Sequence, residues 1–357
     1  MMIQTTNHSS ARRPVRAWLL GILSFGLIAC CITVSAFADS PHTIVDMAGR
    51  NVTLSGRAER IITTFKPATL SVLSLGLADR LVAVDSFSPR VRINTAVYPG
   101  ICELPRIGNR STGLNMETVI ALKPDLVILY AQKDGILTAD RLGRSGIPAI
   151  VILPESLDSI KETLRIIARA AGCPERADTV IQAVDHVVAM VHARTASLKA
   201  RERKTVYYAG PDGFFSTAPG GMLQDEMISQ AGGINAAHDL SGFFKSISPE
   251  QFVQWNPDAV FACREIRSSA GKYLGKPELA EVKAVKSGQF FCIPSSHAPW
   301  DFPSPLSVLG VLWAGKRLYP DRFHDIDLIK EIDRFHEILF SRSFTEMGGR
   351  LEDTLDP

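Results

Sequence analysis

The sequence has almost no imbalance of charge. Against 37 Asp and Glu stand 39 Lys and Arg, a formal net charge of +2 over 357 residues, and no Lys/Arg tract accumulates anywhere. Nucleic-acid binding needs a concentrated basic face to displace phosphate counterions, so that class is excluded. Cysteine is sparse: after residue 38 only Cys102, Cys173, Cys263 and Cys292 remain, too widely separated for the CxxC knuckle of a structural zinc site. No P-loop is present, so the chain is not an ATPase. The GxSxG elbow and the HExxH pair are missing too, which removes common signatures of serine hydrolases and zinc peptidases. Low-complexity stalks, the mark of a structural cell-surface protein, are not found.

What is present begins with an export signal. Arg12, Arg13 and Arg16 precede an apolar run from Ala17 to about Val34, and Ala36-Phe37-Ala38 is a small-x-small cleavage pattern. Together they read as a secretory signal over residues 1–38, cut after Ala38, and not as a membrane anchor, because the run is short for a hydrocarbon core of ~30 Å. Leu27-Ile28-Ala29-Cys30 also fits a lipoprotein box. The residues after Cys30 are apolar, unlike a solvated tether, so soluble periplasmic export ranks above a lipid anchor at Cys30, which stays the alternative. In an oxidising compartment Cys263 and Cys292, each closing a short apolar strand pattern, are either a disulfide or two buried thiols.

At 46% hydrophobic and 21% charged residues, the mature chain can bury more than one core. Short apolar runs alternate with helical patterns: Ile61 to Thr64, Leu81 to Val84, Leu126 to Leu129 and Ala149 to Ile152, then Thr205 to Ala209, Ala259 to Ala262 and Gln289 to Ile293. Such alternation predicts an α/β fold of parallel sheets with flanking helices. METVIALKPDLVIL places Glu117, Pro124 and Asp125 in an order that PEQFVQWNPDAVFA repeats at Glu250, Pro257 and Asp258, each shifted by 133 positions. Two related lobes follow, residues 39–172 and 204–357. Between them, Leu157 to Ala171 is one helical pattern. From Glu175 to Ala200 no Gly or Pro interrupts an apolar stripe, which predicts a single helix of ~39 Å within a linking segment over 173–203.

VDMAGRNVTLSGRAERII, LSLGLADRLVAVD, METVIALKPDLVI, the long helix, QDEMISQAGGINAAHDL and PSPLSVLGVLWAGKRLYPDRF, in that order, resemble the periplasmic binding proteins for iron-siderophores, haem and cobalamin, the helical-backbone metal receptors. The resemblance covers nearly all of the mature chain. It implies two sheet-centred lobes joined by one long helix and a ligand in the cleft between them. It also implies delivery to the permease of an ABC importer and through it to the ATPase, no catalysis, no resident cofactor or metal, and a monomer. The favoured ligand is an iron chelate, siderophore or haem, with corrinoid next and a molybdate-type oxyanion behind it. A chelatase-like enzyme of similar architecture is the competing class, and it requires a catalytic carboxylate or His pair that the sequence does not display.

Ligands of such sheets gather beyond the carboxyl ends of the strands. The candidates there are Phe65, Lys66 and Thr69, then Asn109 and Arg110, then Tyr130, Gln132 and Lys133 in the first lobe. In the second they are Phe214, Phe215 and Thr217, then Arg264, then Ser296, His297, Trp300 and Asp301. Aromatic rings with a few cations suit a large anionic complex. Within the HAPWD cluster, Trp300 is the expected stacking wall; His297 is read first as a turn residue, since no second His lies at ligand spacing. Lys66, Arg110 and Arg264 face either an anionic ligand or solvent. Glu117 and Glu226 match positions at which the resemblance implies one docking acid per lobe for permease arginines, although both also suit the first turn of a helix.

Overall fold

The computed structural model describes residues 40–353 except 110–112, 133 and 295 and the side chain of 274. The expected export segment, Cys30, Arg110 and Lys133 lie outside the described residues. A small antiparallel hairpin, His42–Val45 with Asn51–Leu54, opens the fold and turns at Gly49 with φ +75°.

Two four-stranded sheets carry the architecture, and every pairing within them is parallel. The first runs Leu81–Val84, Ile61–Thr63, Leu126–Tyr130, Ala149–Ile152 from edge to edge, and the second runs Ile234–Asn235, Thr205–Ala209, Ala259–Ala262, Phe290–Cys292. Numbered along the chain within each lobe, both sheets have the order 2-1-3-4. The central strands Leu126–Tyr130 and Ala259–Ala262 are buried throughout, as continuous apolar runs must be when helices cover both faces of a parallel sheet. Ile234–Asn235 was not among the expected strands, since two residues carry no periodic signal.

The internal repeat has a physical role. Asp125 and Asp258 each open the third strand of their lobe and clamp it to the first: Asp125 carboxylate oxygens accept the N–H groups of Glu59 and Arg60 at 3.0 and 2.8 Å, and Asp258 accepts that of Thr205 at 2.8 Å. Lys123 and Asn256, again 133 apart, both adopt left-handed φ, +46° and +44°. The residue before each proline thus turns left-handed, where proline's neighbour ordinarily stays extended.

Leu157–Ala171 forms as expected, with Gly172 left-handed at its end. The linking helix, Pro174–Thr195, has 22 residues, or ~33 Å, and stops short of Ala200. It stops because the next segment is drawn inward: Leu198 is buried, and Arg322 donates to the Arg194 carbonyl and the Ser197 hydroxyl. The apolar stripe of this helix packs against Ser307–Leu318, Leu157–Ala171 and Leu328–Phe340. In its first turn Arg176 donates to the carbonyls of Ser74, Ile338 and Leu339, tying together the ends of two other helices. All four described cysteines are free thiols. Cys263 and Cys292 are buried, and burial pushes the Cys292 thiol up to about 12.

Candidate functional site

A cavity of about 640 Å³ opens between the two lobes, lined from both sides by segments beyond the carboxyl ends of the strands, among them those that follow the first and third strands of each sheet. These are the positions where the strand order reverses, and the loops leaving neighbouring strands there diverge to leave a crevice. On the N-terminal side, strand Ile61–Thr63 delivers Thr64, Phe65 and Lys66 directly into the wall, and Pro67 sits in the first turn of the helix Lys66–Ser74, where the missing N–H costs nothing. The Phe65 ring lies 4.8 Å from that of Tyr130, at the end of the third strand. Lys66 Nζ stands 4.7 Å from the centroid of the Phe302 ring, which belongs to the opposite lobe. Asn109 and Gln132 complete the expected N-terminal lining.

Pro299 and Asp301 are the HAPWD residues that reach the cavity, and Asp301 is the polar one. It is 5% exposed, its Oδ2 accepts the Tyr208 hydroxyl at 2.8 Å, and burial pushes its carboxyl up to about 6. Asp85, buried in the opposite wall, is raised by burial against the opposing bonds it accepts from the Ser88 hydroxyl and the Phe87 and Ser88 N–H groups. Among the described residues no group of three or more His, Cys, Asp or Glu is arranged to hold a metal ion.

The other candidates stand away from the cavity, each for a packing reason. Thr69 is fully buried beneath the floor, bonded to the hydroxyls of Thr63 at 2.6 Å and Ser88 at 2.8 Å. Phe214 is a core ring of the C-terminal lobe, stacked 4.6 Å from Tyr273, and Phe215 meets it edge-on. Thr217 is fully buried as well. Arg264 turns outward to Glu352, at 3.8 Å. His297 is a buried turn residue: Nε2 bonds the Met347 carbonyl, Nδ1 bonds Ser296, and burial holds its pKa below the ordinary value. Trp300 is 2% exposed, covered by the helix Ser307–Leu318 at Gly310, so it offers no stacking wall. Aromatic surface comes instead from Phe87, Phe243, Phe244 and Phe302, none of which was anticipated. A sequence signal existed for two of them, since Gly242-Phe243-Phe244 sets consecutive rings beside a turn residue and Phe243 is 63% exposed.

The docking acids divide. Glu117 is exposed in the first turn of the short helix Met116–Ala121. Glu226 is half-buried, its Oε2 accepting the Leu157 N–H at 2.8 Å across the lobes, and burial raises its pKa. A carboxylate committed within the chain does not fit an external docking role. The repeat partner of Glu117 is Glu250, exposed in the first turn of Pro249–Trp255.

Molybdate-binding protein MolA of Haemophilus influenzae is 24% identical over 341 residues, covering 89% of this chain and 96% of that protein. The solved structure of MolA bound to molybdate superposes with a TM-score of 0.74 at 23% identity, covering 85% of this chain and 98% of that one. A vitamin B12-binding protein of Yersinia pestis is 28% identical over 203 residues, 57% of this chain and 69% of that protein. The sequence profile of the periplasmic binding protein family matches residues 61–297, well over half of the chain. With that span matched and both sheets of the fold in place, the chain belongs to the periplasmic binding protein family.

Proposed function

We propose that this protein is the extracytoplasmic solute-binding component of an ABC importer, that it takes a metal chelate of the iron-siderophore or haem kind into the cleft, and that it delivers the chelate to a permease and its ATPase. One observation carries the choice of ligand: the cavity of about 640 Å³ is walled by aromatic rings from both lobes with Lys66 set over one of them. Cavities of roughly 300–1,000 Å³ hold ligands of drug size, whereas a tetrahedral oxyanion fills a small part of such a space. Rings and an ammonium group suit the faces of a large anionic or π-rich complex. The kinship to MolA and to a vitamin B12-binding protein supports a second reading, an oxyanion or a corrinoid in the same cleft.

Lys66, Phe65, Tyr130 and Asp301 are the proposed ligand contacts. Glu117 and Glu250 are the proposed docking acids, one from each lobe. The deciding measurement is native mass spectrometry combined with an absorption spectrum of protein purified from the periplasm of its own host. A bound mass with a ferric-chelate or haem spectrum is the expected result. A corrinoid spectrum selects the second reading, and an empty protein that ignores iron chelates, haem, cobalamin and molybdate in titration sinks the proposal.

A further inference from the structure

The charged side chains described around the cleft are mostly acidic, and its cation lies on one wall only. Among the described residues lining the cavity, the one cation is Lys66, on the N-terminal side, where Asp85 and Glu155 also line the wall. The C-terminal wall holds Tyr208, Gln224, Glu265 and Asp301. Both side-chain donors of that wall are turned inward: the Tyr208 hydroxyl donates to Asp301 Oδ2 and the Gln224 amide donates through Nε2 to the Asp301 carbonyl, each at 2.8 Å. A carbonyl only accepts, so the NH₂ group of Gln224 must face it, and that orientation leaves Oε1 as the remaining polar atom. Gln224 is 6% exposed, and its Oε1 has no hydrogen-bond partner. Oxygen is therefore what this wall has to offer: the Asp301 carboxylate with acceptor capacity to spare and the exposed Glu265 carboxylate, while Gln224 Oε1 is enclosed. Arg264, the cation nearest in sequence, points away to Glu352.

We infer that the ligand is two-faced, carrying negative charge or a π surface toward Lys66 and N–H or O–H donors toward Asp301 and Glu265. The inference rests on reading the cleft as a chelate site and narrows that class: chelates rimmed by amides, hydroxyls or an ammonium group fit, while carboxylate-only chelates and bare oxyanions do not. Enclosing an acceptor-only ligand sets its oxygens against those of the protein, and discrimination by such juxtaposition is strong because buried polar groups are left without partners.

The test titrates the mature chain with four probes: a ferric trihydroxamate bearing a free ammonium group, cyanocobalamin with its rim of amides, ferric citrate, and molybdate. At least one donor-bearing probe is expected to bind, with ferric citrate and molybdate weaker by roughly 100-fold or more. Glu265→Gln, a surface change that leaves the core untouched, is expected to weaken the donor-bearing probe about tenfold or more. Ferric citrate binding as tightly as the donor-bearing probes overturns the two-faced ligand and leaves the chelate reading standing. Tight molybdate alone, or no binding by a chain whose circular dichroism shows it folded, overturns both. A Glu265→Gln variant that binds the donor-bearing probe unchanged removes Glu265 from recognition and overturns the inference.

Discussion

Asp301 shows how a single buried side chain ties the cleft to solution conditions. Burial carries its pKa from the ordinary 3.8 to about 6, and its side-chain partner is the neutral Tyr208 hydroxyl. Between those two values the native state holds more protons than the unfolded chain, so the stability contributed at this residue falls as pH rises through the window. The shift corresponds to about 3 kcal/mol. Asp301→Asn keeps an acceptor for Tyr208 and removes the charge. It is expected to raise Tm at pH 7.5 and to leave Tm nearly unchanged at pH 4, where the wild-type acid is already neutral. Thermal unfolding at the two pH values checks this, and an equal shift at both would show that the carboxylate is not held at a cost. His336 pulls the other way: burial holds it down to about 4, so acidification from 6.5 toward 4 costs stability there. The residues that line the cavity from the N-terminal lobe were legible because the rule is local: Phe65, Lys66 and Tyr130 sit where a buried strand ends. Trp300 and Phe214 were not, because burial at those positions is decided by a helix and a ring cluster distant in sequence.

At the scale of elements, the two copies of the Pro-Asp turn share a geometry that their residues suit unequally. Asn256 tolerates left-handed φ well, and its Oδ1 also accepts the Lys283 N–H at 2.9 Å. Lys123 takes the same backbone position with a Cβ that crowds the following carbonyl, which costs roughly 1–2 kcal/mol. The Lys123 side chain is exposed, so Lys123→Gly is expected to recover part of that, about 0.5–1 kcal/mol, offset by the greater backbone freedom of glycine when unfolded. Urea unfolding of the two proteins measures the difference, and a loss of stability instead would show that the turn is not strained. The spacing of the Pro-Asp motif was visible in the chain, but its left-handed entry was not. Pre-proline residues lean toward extended conformations, and tertiary bonds hold the turn in place, the clamp from Asp125 and Asp258 onto the first strand of each lobe and the Arg60 guanidinium on the Leu122 and Lys123 carbonyls among them.

For the whole molecule, the repeat sets one acid on each lobe at the same point of the fold. Glu117 and Glu250 each lie in the first turn of an exposed short helix, and the same helices expose one apolar side chain apiece, Ile120 and Val253. If the pair docks on permease arginines, reversing both charges is expected to abolish stimulation of the importer's ATPase while leaving the Kd for the solute unchanged. Reversing one is expected to give an intermediate effect. The assay is ATPase activity in proteoliposomes beside a binding titration, and unchanged stimulation in the double variant would remove both acids from the interface. Glu226, held by the Leu157 N–H, belongs to the joint between the lobes instead.

By itself the sequence determined the class of fold. Apolar runs of strand length, the 133-residue repeat and the uninterrupted helical stripe are local or periodic signals, and they carry two parallel sheets and a linking helix without reference to anything distant. The family followed from the order of such segments. Tertiary structure alone decided which candidates face the cleft and which polar groups of the cleft are already occupied. Gln224 and Tyr208 read as ordinary residues until their donors are seen turned onto Asp301, and Glu226 reads as a surface acid until Leu157 is found against it. Those pairings join positions 69 to 93 residues apart in sequence, and hydrogen bonds over such separations leave no periodic trace in a chain.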